Sequence, residues 1–180
     1  MVYIFLTMTG LALVLLFTSQ TGATKIPTSL IQIIPYQHQY QQDFKTLNLE
    51  WLDKYNLTEE ADLKLLNDPE GTILADGGFI FLAQYNNEIV GSSALIFEHD
   101  GEYELAKMAV RPDLQGKGIS KSLLAACLEA AKEARARKII LFSNSKLVPA
   151  LKLYEKYGFK YVTVTDSPFV TADIKMQLSL

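Results

Sequence analysis

The spacing of apolar residues changes several times along the chain, and each spacing predicts a different secondary structure. Apolar residues three or four positions apart predict four amphipathic helices; these cover residues 38–56, residues 57–71, a segment that begins after Gly118, and residues 147–159. Short β-branched or alternating apolar runs predict seven strands; these cover residues 29–36, 78–85, 88–99, 102–110, 138–144, 160–165 and 172–180. The predicted order is β-α-α-β-β-β-α-β-α-β-β, which is typical of one mixed α/β domain.

Three of the predicted strands are separated by very short polar dipeptides. Asn86-Asn87 and Asp100-Gly101 stand between them, and these residue types tolerate the positive backbone angles that tight hairpins require. Residues 78–110 are therefore predicted to form an antiparallel three-stranded meander. Thr58 is the predicted N-cap of the second helix, and residues 69–71 are its predicted stop.

Residues 2–17 are almost wholly apolar and uncharged, so we treat residues 1–23 as a segment separate from the predicted domain, residues 24–180. Three interpretations are open: a secretory signal cleaved near Thr21-Gly22-Ala23, a short membrane anchor, or a start codon placed too far upstream. The run falls just below the roughly 17 to 25 residues that span a bilayer, and no basic residue precedes it as in a secretory signal. Lys25 follows the run, and this charge bias favours a domain on the cytoplasmic side.

Composition limits the classes of function. Of 180 residues, 49% are hydrophobic and 21% are charged, which is enough apolar material for a core without disulfides or metal. The net charge is -3 and basic residues are interspersed with acids, so nucleic acid is not a predicted partner. Cys127 lies on the apolar face of the third helix and is predicted to be a small core residue. His38 and His99 are isolated in sequence, so no metal site is predicted.

A glycine-rich turn connects a predicted strand to the third helix. The segment Gln115-Gly116-Lys117-Gly118-Ile119-Ser120 leaves backbone N–H groups unpaired at the positive end of the helix dipole, where an anion can bind. It is not a P-loop, because Arg111 stands where that motif needs glycine and Gly118 follows Lys117 in place of Ser or Thr. It is not a dinucleotide fingerprint either, because Lys121 stands where glycine or alanine is required. An ordinary strand-to-helix turn is the alternative interpretation.

The turn, the strand before it and a later helix together resemble the GNAT acyltransferase superfamily. Its signature of Gln or Arg, two residues, Gly, one residue, then Gly or Ala matches Gln115 to Ser120, with serine in the final position. The segment "ELAKMAVRPDLQGKGIS" resembles that family's central strand and loop, and "NSKLVPALKLYEKYGF" resembles its later asparagine and Leu-Tyr-x-x-x-Gly-Phe helix. The element order matches from about Ser29 to Leu180. The resemblance implies a GNAT fold, with a central mixed, mostly antiparallel sheet flanked by helices.

Members of this family use acetyl-CoA or another acyl-CoA as donor, so the resemblance implies acetyl-CoA as co-substrate and no metal. It implies that the pyrophosphate lies on the amides of the turn: Gln115, Gly116, Lys117, Gly118, Ile119 and Ser120. The pantetheine arm is expected along the strand edge at Met108, Ala109 and Val110. Asn144 matches a residue that reaches the same arm in many relatives, and capping of the following helix is its alternative role.

The resemblance also implies catalytic roles. An amine acceptor with a lysine-like pKa near 10.4 is protonated at neutral pH and must lose a proton before it attacks the thioester. Glu104, at the start of the central strand, is the candidate base, and burial would raise its pKa toward neutrality; a solvated charge paired with Lys107 or with a cross-strand neighbour is the alternative. A backbone N–H near Met108 is expected to face the developing oxyanion. Tyr154 is the candidate proton donor to the CoA thiolate, or else a core residue.

The acceptor groove of this family is formed by the first two helices and the late strands. In this chain that location points to four residues, which could equally belong to the core: Glu50, Trp51, Tyr55 and Phe169. An aromatic wall with one or two acids suits a small primary amine or an amino acid better than a long basic peptide.

The leading hypothesis is therefore an acyl-CoA-dependent N-acetyltransferase that acts on a small primary amine by direct attack, as a monomer or homodimer. Because acetyl-CoA is cytosolic, the domain is expected in the cytoplasm, either free or tethered through residues 2–17. A non-catalytic acyl-CoA-binding or sensing domain is the second hypothesis. A structural, membrane-tethered domain whose glycine turn binds nothing is the third.

Overall fold

The structure, a computed structural model, describes residues 30–180. The predictions made for residues 1–23, and for the start of the domain at residue 24, lie outside the described residues. Within residues 30–180, no helix is both long and apolar enough to cross a membrane.

Seven strands form a single sheet, and their bounds follow the predicted runs. They are β1 (Gln32–Pro35), β2 (Phe79–Tyr85), β3 (Glu88–His99), β4 (Glu102–Val110), β5 (Lys138–Ser143), β6 (Lys160–Val162) and β7 (Ile174–Ser179). Their order across the sheet is β1-β2-β3-β4-β5-β7-β6. Within this described sheet, β4 and β5 pair in parallel and all other neighbours pair antiparallel. The predicted mixed, mostly antiparallel sheet is confirmed.

Helices cover both faces of the sheet. They are α1 (Gln41–Lys54), α2 (Glu60–Asn67), α3 (Ile119–Glu133) and α4 (Val148–Lys156). Helices α1 and α2 lie on one face, where Phe44 and Leu66 pack with Leu82 of the sheet. Helices α3 and α4 lie on the other face, where Leu124 and Leu151 join a second buried cluster. The sheet is therefore the middle of three layers. A gap between two of its strands would be reached by residues from both pairs of helices.

Cys127 belongs to the buried cluster under α3. Its side chain is fully buried, and its Sγ lies 3.1 Å from Ser93 Oγ. Burial raises the pKa of the Cys127 thiol to about 12. The prediction of a core cysteine is confirmed, because such a thiol carries almost no thiolate at neutral pH.

The short turns of the meander adopt the predicted positive backbone angles. Asn86 and Asn87 have φ of 49° and 64°, and Asp100 and Gly101 have φ of 48° and 74°. Asparagine, aspartate and glycine tolerate this left-handed region at low cost. The meander of β2, β3 and β4 is therefore built as predicted.

Helix α2 starts and ends differently from the prediction. Glu59, not Thr58, is its N-cap, and the Glu59 amide donates a hydrogen bond to Asp62 Oδ2 at 3.0 Å. The Thr58 hydroxyl instead donates to Asp53 Oδ1 at the end of α1. Helix α2 ends at Asn67, ahead of the stop predicted at residues 69–71, and a separate π-helical turn follows at Glu70–Leu74.

The sheet opens between β4 and β5. These strands pair only through residues 102–104 and 138–140, although both continue beyond that point. The β4 backbone from residue 105 onward therefore faces a gap instead of a neighbouring strand. Backbone groups at such an edge remain available to pair with a ligand.

Candidate active site

The gap between β4 and β5 opens into a cleft with a volume of about 300 Å³. Its lining comes from α1 (Trp51, Tyr55), β4 (residues 105–110), the turn before α3 (Leu114, Gln115, Gly116, Ile119, Ser120), β5 (Phe142, Ser143) and the α4 region (Leu147, Pro149, Ala150, Leu153, Tyr154). The cleft thus joins the glycine turn to the open edge of β4. An elongated ligand could contact both.

The glycine turn presents bare backbone to the cleft. Gly116 and Gly118 have φ of 75° and 88°, and a Cβ added at either position would meet no atom within 4 Å. Among the hydrogen bonds of residues 30–180, none is donated by the amides of residues 116–120, and the first amide to bond within this turn is that of Lys121, which donates to Gly118 O at 3.0 Å. Free amides at the start of a helix, with open space in front of them, fit a phosphate group.

Tyr154 projects from α4 toward the open edge of β4. It lines the cleft, and its hydroxyl lies 3.9 Å from the Met108 sulfur. The ring is 7% exposed and packs 5.8 Å from the ring of Phe159. Burial raises the pKa of the Tyr154 hydroxyl, so this phenol keeps its proton at neutral pH. Tyr154 therefore packs in the core and also lines the cleft.

A second, smaller pocket of about 80 Å³ adjoins the cleft. Six residues line both spaces: Trp51, Ala106, Lys107, Phe142, Ser143 and Leu147. The smaller pocket alone is lined by Leu52, Leu57, Asp62, Glu104, Asn144, Phe169, Thr171 and Ala172. The shared wall makes the two spaces neighbouring compartments of one site.

Glu104 is the titratable group of the smaller pocket that has no ionic partner. It is 5% exposed, and the salt bridges found in residues 30–180 do not include it. Burial, with a further contribution from the negative charge of Glu98, raises the pKa of Glu104 to about 7, while Lys107 opposes the shift. The predicted rise of this pKa is confirmed. The alternative of a solvated, paired carboxylate is wrong, because Glu104 is buried and the Lys107 ammonium has another partner.

That partner is Asp62, near the start of α2. The Lys107 Nζ lies 2.5 Å from Asp62 Oδ1, and both side chains are at most 5% exposed. The same Nζ lies 5.0 Å from the centre of the Phe169 ring. The ammonium is thus neutralised by a carboxylate and covered by an aromatic ring. Sequence reasoning missed this pair, since an acid in the first turn of a helix is already explained by the helix dipole.

A β-bulge in β4 explains why Lys107 enters this pocket. The register with β3 shifts so that Ser93 stands opposite two residues, Lys107 and Met108. Lys107 adopts φ of 51°, and Ser92 Oγ donates a hydrogen bond to its carbonyl oxygen at 2.9 Å. An extra residue interrupts the alternation of side chains along a strand. Lys107 therefore points to the same face of the sheet as Ala106 instead of the opposite face.

The β6–β7 loop (residues 163–173) closes one side of the smaller pocket and is held by hydrogen bonds. The Glu59 carboxylate accepts bonds from the amides of Val170 and Thr171, both at 2.8 Å, and from the Thr171 hydroxyl at 2.7 Å. Asn144 Nδ2 donates to Thr171 O at 2.6 Å. These bonds fix the loop that carries Phe169. They also place Asn144 at the smaller pocket, where its Oδ1 accepts from the Lys146 amide.

The structure separates the predicted acceptor residues. Trp51 lines both spaces, Tyr55 lines the cleft and Phe169 lines the smaller pocket. Glu50 is exposed on α1 and lies outside both spaces, because consecutive helical residues point about 100° apart and Trp51 faces the site. Met108, Ala109 and Val110 lie along the cleft as expected.

The predicted residues of the glycine turn divide in a similar way. Four of them line the cleft: Gln115, Gly116, Ile119 and Ser120. Lys117 and Gly118 belong to the same turn but not to the cleft wall. Gly118 is the left-handed residue immediately before α3, so it shapes the turn that aims the neighbouring amides.

This fold and cleft define an α/β protein in which free amides at the start of α3 and the open edge of β4 lie beside a buried carboxyl group. The model of the acetyltransferase (GNAT) family matches residues 38–159 of the chain. The chain therefore belongs to the GNAT family of acetyltransferases.

Individual relatives agree with the family assignment. An uncharacterized N-acetyltransferase of Bacillus subtilis (strain 168), YvbK, is 30% identical over 115 residues, which cover 62% of this chain and 74% of that protein. N-acetylaspartate synthetase of Xenopus tropicalis is 35% identical over 95 residues, which cover 52% of this chain and 35% of that protein. The chain thus matches about a third of the length of the synthetase.

Solved structures share the fold. An acetyltransferase of the GNAT family from Staphylococcus aureus Mu50 superposes with a TM-score of 0.77 at 25% identity, covering 83% of this chain and 98% of that one. The PaiA N-acetyltransferase of Thermoplasma acidophilum, solved in complex with coenzyme A, superposes with a TM-score of 0.66 at 16% identity, covering 83% and 99% of the two chains. The seven-stranded, mostly antiparallel sheet flanked by helices is the GNAT fold.

Proposed function

We propose that the protein transfers the acetyl group of acetyl-CoA to the primary amine of a small molecule or amino acid, by direct attack in a ternary complex. The observation that carries this proposal is the junction of the two spaces. A cleft suited to a phosphate-bearing donor shares a wall with a small pocket that contains a buried carboxyl group of near-neutral pKa. A donor and an acceptor bound in neighbouring compartments can react without a covalent enzyme intermediate.

The residues present fit the donor. Acetyl-CoA supplies the acetyl group as a thioester. The free amides of residues 116–120 would hold its pyrophosphate, with the Ser120 hydroxyl as an added donor, because charge-assisted hydrogen bonds to backbone N–H groups suit a phosphate. The unpaired β4 edge at Met108, Ala109 and Val110 would pair with the amides of the pantetheine arm.

Two side chains would move the protons. Glu104, with a pKa of about 7, would accept the proton of the incoming amine, since a base is most effective when its pKa lies near the working pH. Tyr154 keeps its proton at neutral pH and would donate it to the leaving sulfur. The Met108 amide, within the bulge, would donate a hydrogen bond to the carbonyl oxygen as negative charge develops there.

Two measurements on the purified protein test this proposal. Calorimetric titration with acetyl-CoA should give saturable binding, and a free-thiol assay with a panel of primary amines should give acceptor-dependent release of CoA. We expect Glu104→Gln to lower kcat/KM about a hundredfold at pH 8, because a positioned base contributes at least about that factor. Its Kd for acetyl-CoA should stay within about twofold, since Glu104 does not line the donor cleft.

Glu102→Gln is the matched control. Glu102 lies two residues earlier on β4 and forms a salt bridge with Lys138, outside both spaces. Equal losses of turnover in the two variants would remove Glu104 from its assigned role. Saturable binding with no thiol release from any amine would favour a non-catalytic acyl-CoA-binding domain. A folded protein that binds no acetyl-CoA would overturn the donor assignment itself.

Acetyl-CoA also bears on location. Because this donor is a cytosolic metabolite, the proposal puts the domain in the cytoplasm. Fractionation of cells that produce the native chain, with acetyl-CoA-dependent acetyltransferase activity as the marker, tests whether the active protein is free or bound to membrane.

A further inference from the structure

The smaller pocket specifies its acceptor more narrowly than the proposed function does. Most of its wall is apolar; the main contributors are Trp51, Leu57, Ala106, Phe142, Leu147 and Phe169. Such a wall favours an apolar body over a polar one, since polar groups of a ligand would lose water there without gaining partners. The choice of acceptor therefore depends on which polar groups of the pocket are still available.

The charged groups of the pocket are almost fully engaged. Among the lining residues of the described chain, the ionisable ones are Asp62, Glu104 and Lys107. Asp62 and Lys107 bind each other at 2.5 Å, and the Phe169 ring covers the ammonium at 5.0 Å. Neither of the two offers a free charge. Glu104 is the ionisable group that remains for the ligand.

The neutral polar groups are mostly engaged as well. The Asn144 amide bonds to Thr171 O and to the Lys146 amide, and the Thr171 hydroxyl bonds to Glu59. Trp51 Nε1 is buried without a hydrogen-bond partner in the described chain, and the Ser143 hydroxyl in the pocket wall forms no hydrogen bond within residues 30–180 either. These two groups are neutral; they suit a hydroxyl or ether oxygen but cannot neutralise a carboxylate.

An α-amino acid would therefore be poorly matched. Its amine could reach Glu104 only by bringing its carboxylate into the same apolar space, next to Glu104 and Asp62 and without a free cation. A buried carboxylate without a counter-ion is strongly disfavoured, and nearby carboxylates add repulsion. An amine without a carboxylate avoids both penalties.

The size of the pocket sets a second limit. A volume of about 80 Å³, at roughly 10 to 15 Å³ for each water-sized group, holds about five to eight heavy atoms. The β6–β7 loop closes one side through its three hydrogen bonds to Glu59. A longer acceptor would extend beyond the pocket, either past that loop or into the neighbouring cleft.

We propose that the acceptor is a compact, apolar primary amine that carries no carboxylate, bound with its nitrogen at Glu104 and its body against Trp51, Phe142 and Phe169. This inference rests on the proposed function and narrows its acceptor. It distinguishes this chain from an enzyme that acetylates amino acids.

Matched substrate pairs test the proposal on the purified protein with saturating acetyl-CoA. Isobutylamine is compared with valine, and 3-methylbutylamine with leucine, because each pair differs only by the α-carboxylate; aspartate is added as a dicarboxylate. We expect kcat/KM to be at least a hundredfold higher for each amine than for its amino acid. An α-amino group has a lower pKa than an alkylamine, so amino acids contain more free base at pH 8 and the measured preference understates the selectivity of the pocket.

The outcomes separate the two proposals. Faster acetylation of valine, leucine or aspartate than of the amines would overturn the acceptor class and leave the acetyltransferase function standing. Saturable binding of acetyl-CoA with no thiol release from any primary amine would overturn the proposed function. The unaltered protein suffices for both results.

A single substitution tests the charge argument. Asp62→Asn removes the partner of Lys107 and should leave its ammonium free to bind a carboxylate. We expect the ratio of kcat/KM for isobutylamine to that for valine to fall at least tenfold. Asp43→Asn, which removes an exposed acid from the first turn of α1, is the control and should leave the ratio unchanged. An unchanged ratio in soluble Asp62→Asn would overturn the role assigned to the ion pair.

Discussion

The cleft and the smaller pocket, which we propose as donor cleft and acceptor pocket, share a wall but are built by different means. In the glycine turn at Gly116, Ile119 and Ser120 the site consists of backbone amides, which nearly every residue carries and whose direction depends on chain geometry. The acceptor pocket depends on side chains of three elements: Asp62, Glu104 and Phe169. A site made of amides survives most side-chain changes that preserve the turn, whereas one substitution alters the charge of a side-chain site. Donor binding can thus be common to a family while the acceptor differs from chain to chain.

The largest expected effect breaks the backbone site. Gly118→Asp forces a residue with a Cβ into φ of 88° and puts a negative charge beside the amides. We expect the Kd for acetyl-CoA to rise about a thousandfold, because the loss of two charge-assisted hydrogen bonds costs about 4 kcal/mol. Isothermal titration calorimetry measures the change.

Gly77→Asp is the matched control for this substitution. Gly77 has φ of 87°, and a Cβ there also meets no atom within 4 Å, but it lies in the turn before β2, away from the cleft. The Gly77→Asp variant should bind acetyl-CoA with the same Kd as the unaltered protein. A similar loss of affinity in both variants would mean that backbone strain, and not the disruption of the free amides at residues 116–120, explains the result.

The buried Glu104 of the acceptor pocket should make the stability of the protein depend on pH. The pKa of Glu104 is about 7 in the folded protein, against an ordinary value of 4.5. Between these values the unfolded chain has lost this proton while the folded protein keeps it, so the free energy of unfolding falls as pH rises through the window. The expected loss from this group is about 3 kcal/mol. Urea unfolding at pH 4.5 and pH 8 measures it.

Glu104→Gln should remove that part of the pH dependence and make the protein more stable than the parent at pH 8. The buried amide carries no charge to desolvate, so it has no comparable titration. If parent and variant lose stability in parallel between pH 4.5 and pH 8, then Glu104 does not titrate as a buried group.

Tyr154 lies in the wall of the donor cleft, and the effect expected from its substitution is smaller. Tyr154→Phe removes one hydroxyl, so we expect kcat to fall about tenfold, as for the loss of a modest proton donor, with Kd for acetyl-CoA within about twofold. Tyr103→Phe is the control, because Tyr103 is also buried in the cluster under α3 and α4 but lies outside both spaces. Equal kcat in Tyr154→Phe and parent would leave Tyr154 as a core residue.

The smallest expected effect sharpens the electrostatic account of the acceptor pocket. Glu98 is exposed, and its negative charge helps to raise the pKa of Glu104. Glu98→Gln should therefore shift the midpoint of the pH profile of kcat/KM to lower pH by less than one unit, with turnover increased near pH 6 and unchanged at pH 8. A shift to higher pH, or none, would contradict the assigned interaction.

Local patterns predicted much of the fold. Asn86-Asn87 and Asp100-Gly101 specify their turns because positive φ is a property of the residue itself. The prediction failed at Thr58, where Glu59 caps α2 instead. Either side chain can accept a hydrogen bond from a backbone amide at a helix start. The residue at the N-cap is Glu59, whose carboxylate also binds the β6–β7 loop. Glu50 shows the same limit: helical spacing identified the segment, but only packing decided that Trp51 faces the site.

The sequence by itself determined the element order, the glycine turn and the placement of Glu104 on β4, because hydrophobic period and backbone preference act over a few residues. Tertiary structure alone decided the acceptor pocket. Lys107 enters it because a bulge reverses the side-chain alternation, and its partner Asp62 is 45 positions away in sequence. Glu59 reaches a loop 112 positions away. The partners of a buried charge are set by which elements pack together, and no local pattern in the sequence contains that information.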